Sequence, residues 1–276
     1  RALTIRRDLV ERFPGDTACR VGLGRTLNNI GCFHLAFNDL AKAREAFREA
    51  IEQRERLVQL RPADPDFRSS LGNTYLMAND VEIQHGDLRA ARALNDKSVN
   101  LAREAFRLAP SRAIYGTRLV TSLHDRGILL RKCGDGDGAV ETFRSAIDVQ
   151  AQLAEVFQGI PRIKADLAAL HHIRGETLAE TQHAQEATNE LVEAARIWRE
   201  VGGAAELHRA ARCYSRCARL ASMEENEAIR RQFVEQALVT LRQAVDAGLE
   251  DRAGLAEDDD FSEIRQEEGF QQLLKS

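Results

Sequence analysis

Four small groups of residues in this chain have the types and spacing that chemistry could use. Cys213 and Cys217 lie four apart with His208 nearby, which could put two thiolates on one helix face for zinc. Zinc wants four ligands and no second pair is evident, so small residues at a helix contact are the better reading. The stretch "CGDGDGAVE" (133–141) sets Asp135 and Asp137 at the first and third positions of a calcium loop. Ala139 then stands at the fifth position, and the Gly at six and Glu at twelve are missing, so a turn between helices is expected. His124 and Asp125 are an acid–base pair in name, without a nucleophile. The adjacent His171 and His172 diverge by about 100° on a helix and make a poor ligand pair. No catalytic residue, metal or cofactor is therefore expected. What remains is recognition chemistry: Arg can pair with a carboxylate, and Asn can both donate to and accept from a peptide backbone. Arg25, Asn28, Asn29 and Asn73 are of this kind.

The bulk composition narrows the classes. The chain has 276 residues, 43% of them hydrophobic and only 5% aromatic, with many Ala, Leu, Arg and Glu, which favours helices. A net charge of −4 leaves no broad basic surface for nucleic acid. Five cysteines without a CxxC read as reduced thiols in a cytoplasmic setting. No run approaches the length of a membrane span, and no signal-peptide pattern is present. The opening "RALTIRRDLVERF" reads as the end of a preceding helix, residues 1–13, in a piece of a larger protein.

The elements that would position the recognition groups announce themselves as a repeat. "AREAFREAI" (43–51) returns as "AVETFRSAI" (139–147), ninety-six residues on. Half that step, 48, connects Pro14, Pro62 and Pro110, with Pro161 after 51. Ala43, Ala91, Ala139 and Ala187 keep it too, as do Gly31, Asn79, Gly127 and Gly175. Small residues at i and i+7 with Phe or Leu at i+4 mark one apolar face of a helix. Proline ends each unit, because it cannot continue a helix. Gly, Asn and Asp clusters separate its two halves. Each unit is thus a helix, a turn, a second helix and a proline-marked turn. The units fall at about 14–61, 62–109, 110–158, 159–203 and 204–248, and 249–276 forms an acidic C-terminal cap. In that tail Asp258 to Asp260 are candidate N-caps, and Phe261, Ile264, Leu273 and Leu274 form an apolar stripe. The tail is expected to cap the fifth unit rather than fold back into a groove.

Leu71-Gly72 with Tyr75, then Ala91 and Pro110, resemble the tetratricopeptide (TPR) pattern. That family's period is about 34 residues, so each helix here has gained seven, about two turns. Arg20 and Arg68 stand where the signature Trp would be. The resemblance implies an all-α, right-handed α-solenoid of about five antiparallel helix pairs with helices near twenty residues. It also implies that the first helix of each pair lines a concave face. Stepping 48 residues from Arg25, Asn28 and Asn29 along that face gives Asn73 and Met77, then Thr121, His124 and Asp125, then His172. These are the expected partner-binding residues.

The ending "LRQAVDAGLEDRAGLAEDDDFSEIRQEEGFQQLL" resembles the C-terminal regions of large planctomycete-type bacterial serine/threonine protein kinases. This implies a regulatory or docking module, with a protein or peptide partner and an attached kinase domain. The kinase signature itself is missing: "HDRG" (124–127) is not His-Arg-Asp-Leu, and no Asp-Phe-Gly exists. A second reading stays open, a solenoid fragment that completes or regulates an active site elsewhere in a parent chain.

Overall fold

The computed structural model describes residues 1–275; the side chains of residues 252 and 253 and the whole of Ser276, the last residue of the expected cap, lie outside the described residues. Its secondary structure is helical throughout, without strands among the described residues. After α1 (Ala2–Arg12) come α2 (Thr17–Ala36), α3 (Leu40–Leu60), α4 (Pro65–His85), α5 (Leu88–Leu108) and α6 (Ala113–Lys132). Then follow α7 (Gly136–Val156), α8 (Pro161–Glu180), α9 (Ala184–Val201), α10 (Ala204–Met223) and α11 (Glu227–Asp246). Two short helices, α12 (Arg252–Glu257) and α13 (Glu268–Lys275), end the chain with a 3-10 turn (Asp259–Phe261) between them. The ten helices α2 to α11 run 18 to 21 residues, the length the repeat arithmetic predicts.

The 48-residue step reaches into the turns. Asn38, Gly86, Gly134 and Gln182, one step apart, all have positive φ (58°, 88°, 78° and 65°), so the same left-handed residue reverses the chain within each pair. Directly after it, Asp39, Asp87 and Asp135 accept backbone N–H bonds from Lys42, Ala90 and Gly138 and start the second helices. Asp135 of the would-be calcium loop is therefore a helix cap. Asp16 and Asp64 cap α2 and α4 in the same way. The arginines that replace Trp clamp the turns between pairs. Arg20 donates to the Pro14 carbonyl at 3.1 and 3.0 Å, and Arg68 to the Pro62 carbonyl at 2.7 Å.

The chain divides into two compact units, Arg1–Cys133 and the residues from Gly134 onward. The boundary falls between α6 and α7, inside the expected third repeat. In the first unit each helix from α1 to α6 packs on the next, and in the second so do α7 to α11. Gly31 of α2 shows why this contact needs small residues: a Cβ there would lie 2.7 Å from the ring of Phe47 on α3. Phe47 is fully buried, which contributes about 1.5–3 kcal/mol. Gly175 and Leu191 repeat the arrangement between α8 and α9, with a Cβ at Gly175 only 3.0 Å from Leu191. Cys213 and Cys217 are free, buried members of the α9–α11 core.

Candidate interaction site

In the first unit, α2 touches α4 and α4 touches α6, so residues one repeat apart become neighbours on a layer of first helices. Arg25 and Asn29 on this layer are exposed. Asn28 is engaged within the fold: its Oδ1 accepts from the Thr74 hydroxyl at 3.2 Å. Thr74 accepts in turn from Arg54 at 2.5 Å, and Arg54 also donates to the Ser70 carbonyl. Burial, with the neighbouring Arg118 charge, pulls the Arg54 guanidinium down to about 10. Asn73 and Thr121 meet around a cavity of about 50 Å³ whose wall includes Ser69 and Arg118. The volume suits little more than a water. Met77 is half-buried against the cluster of Phe47 and Val81, so its thioether serves the core. His124 Nδ1 lies 3.1 Å from its neighbour Asp125. Asp80 joins them on α4: burial and the Asp125 carboxylate push its carboxyl up to about 6. This end of the layer is acidic.

The second unit is built differently. His172 on α8 shares a pocket of about 400 Å³ with Asp166, Ala169, Trp198, Arg209 and Arg212. The His172 ring lies 5.6 Å from that of Trp198, tilted by 52°. Burial, then the Arg216 and Arg212 charges, pull His172 down to about 4, so it is neutral at pH 7. Arg209, half exposed, stands 6.0 Å over the indole. The pocket is thus an aromatic floor with a cationic rim.

Beside it the chain's own tail is held. Phe261, Ile264 and Phe270 are fully buried against the α10–α11 core. This seats Asp260, 7% exposed, on α10. Its Oδ1 accepts from Arg216 Nε at 2.6 Å, and its Oδ2 from Arg212. Arg216 reaches on to Glu176 of α8, and Asp258 lies 3.5 Å from Arg212. Burial works against the Asp260 carboxylate, but the bonds and charges of Arg216 and Arg212 outweigh it and hold it below the usual range. Sequence reasoning missed Trp198, Arg209, Arg212, Arg216 and Asp260. The signal was present: arginines three and four apart on a helix face, and a run of carboxylates long enough to reach them.

Residues 24–56 match the family model described as tetratricopeptide repeat. This chain carries a tetratricopeptide repeat. The match leaves the first seven residues of α2 and the last four of α3 outside it, as lengthened TPR helices require. No curated protein matches in sequence. Among solved structures the chain resembles BtubC (BKLC) from P. vanneervenii, at 15% identity over 91% of this chain and 90% of that one, with a TM-score of 0.57. A Podosopora anserina protein of nearly identical TPR-like repeats matches at 16% over 82% and 97%, TM-score 0.57. The apo form of RapI matches at 13% over 91% and 80%, TM-score 0.58. These likenesses establish a TPR-like fold. Stacked helix pairs of this kind commonly serve as protein–protein interaction scaffolds. No described helix is long and apolar enough to cross a membrane, and no group of His, Cys, Asp and Glu among the described residues could hold a metal ion.

Proposed function

We propose that this TPR array is a docking module that binds an acid-bearing peptide segment of a protein partner on the first-helix layer of its second unit. The observation that carries this reading is Asp260. The array already holds one acidic segment in a 3-10 turn, its carboxylate shared by Arg212 and Arg216, next to an open pocket rimmed by Arg209 and floored by Trp198 and His172. A guanidinium with free N–H groups recognises a second carboxylate, and the aromatic floor takes the apolar residue beside it. Arg25, Asn29, Asn73, Thr121, His124 and Asp125 are proposed as a separate set of polar contacts on the first unit's layer, for a peptide's backbone rather than its acid. Asn28 and Met77 support them from within. The resemblance of the tail supports placing the module at the C-terminal end of a bacterial signalling kinase, where docking would bring a substrate or regulator to the catalytic domain.

The test is selection of peptides from a random display library on the whole chain. Selections are repeated on two variants, Arg209→Ala/His172→Ala and Arg25→Ala/Asn29→Ala/Asn73→Ala. Peptides carrying Asp or Glu beside an apolar residue, weakened at least tenfold by the first variant, support the proposal. Peptides of no common charge, bound equally by the wild type and both variants, overturn it.

A further inference from the structure

The last long helix, α11, keeps a largely exposed face that α13 borders at Leu238. Arg231, Glu235, Val239, Arg242 and Asp246 are exposed along it. With the half-buried Leu238 they line one groove of about 780 Å³, whose near edge adds Glu227 and Arg230 and whose far wall is Glu267 and Gly269. At about 100° per residue these six positions fall within roughly a 100° arc, a single stripe. Val239 is 50% exposed at its centre, and an apolar stripe flanked by charges is the usual form of a helix–helix seam.

The order of the charges selects the occupant. Read from the N-terminus the stripe is positive (Arg231), negative (Glu235), apolar (Leu238 and Val239), positive (Arg242), negative (Asp246). Read backwards with every sign inverted, it is the same sequence. A two-fold axis between residues 238 and 239 pairs position i with 477 − i. Arg231 then meets Asp246 of a second copy, Glu235 meets Arg242, and Leu238 meets Val239. Parallel pairing would oppose like charges at every step, so the match holds only for the antiparallel arrangement that closes as an isologous dimer. Arg231 also bonds Glu227 on its own helix at 2.9 Å, and its other guanidinium nitrogens remain for the partner's carboxylate.

We infer that α11 pairs antiparallel with α11 of a second copy of this chain. A seam of one helix, about 30 Å long at 1.5 Å per residue, lies at the small end of specific interfaces. It makes a weak dimer, with a dissociation constant in the micromolar range.

Sedimentation velocity of the whole chain, from about 1 to 200 μM to bracket that range, tests this. The wild type is expected to pass from monomer to dimer. Arg231→Asp, and separately Asp246→Arg, opposes like charges twice in each dimer and is expected to weaken association at least tenfold. The double variant Arg231→Asp/Asp246→Arg restores the pairing with signs exchanged, and with it the dimer. These positions are exposed, so circular dichroism is expected to match the wild type. A wild type that stays monomeric throughout, single variants that dimerise normally, or a double variant that fails to recover overturns the inference.

Discussion

The first-helix layers of the two units are made from the same repeat, yet they use charge in opposite ways. In the first unit the polar groups are spent within the fold. Asn28, Thr74, Arg54 and Arg118 bond one another or nearby carbonyls and hydroxyls, the cavity beside Asn73 is about 50 Å³, and Asp80 and Asp125 repel. In the second unit a cluster of arginines leaves a pocket of about 400 Å³ and grips an acidic tail. One scaffold therefore offers a closed, acid-tipped surface in one place and an open, cationic one in another. The difference lies in the few side chains that point off the packing face, which the repeat leaves free to vary.

The comparison breaks most sharply at Phe261. Phe261→Ala empties a fully buried site and is expected to cost about 3–5 kcal/mol in urea unfolding. Hydrogen exchange should quicken in α10, α11 and α13 and stay unchanged in α2 to α5. Equal loss of protection in α2 to α5 would mean that the two units unfold together.

Next is Asp260→Ala, which removes the nearly buried carboxylate that Arg212 and Arg216 share and leaves them only Asp258 and Glu176. A cost of about 2–3 kcal/mol is expected, measured by the same denaturation. An unchanged midpoint would reduce the tail to apolar packing.

The first unit answers with a gain. Asp80 has its carboxyl pushed up to about 6 in the fold, so the folded state favours the protonated form. Stability contributed by that proton is complete below the unfolded carboxyl's value of 3.8 and is lost as the pH rises through 6. Asp80→Asn is expected to stabilise by about 1 kcal/mol at pH 7, discounted for partial exposure, with the gain vanishing near pH 4. Melting temperatures across that range check it, and an equal gain at pH 4 would contradict the sign. Smallest of all, Arg25→Ala and Asn29→Ala on the exposed edge should change stability by less than about 0.5 kcal/mol.

Much of the scaffold was legible because it is periodic. Pro14, Pro62 and Pro110, the Gly31 register and the Ala43 register mark helix pairs of the observed length, since only small residues let Phe47 or Leu191 pack between helices. The site was legible only in part. Stepping along the first helices located Asn73 and Thr121 side by side, but periodicity says nothing of whether a polar group is satisfied. Asn28 was consumed by Thr74, which no spacing foretold. The second unit's pocket depends on Trp198 from α9, Arg209 and Arg212 from α10 and a tail outside the repeat, so the register could not gather them.

The central claim, that the second unit's first-helix layer receives an acid-bearing segment, has a built-in reporter. Trp198 is the only tryptophan in the chain and lines the pocket. The most direct measurement is its fluorescence during titration with a display-selected acidic peptide, for the wild type and for Arg209→Ala. The account predicts a saturable change in emission that tracks binding and weakens at least tenfold in the variant. Binding by calorimetry with an unmoved Trp198 spectrum, undiminished in Arg209→Ala, would contradict it.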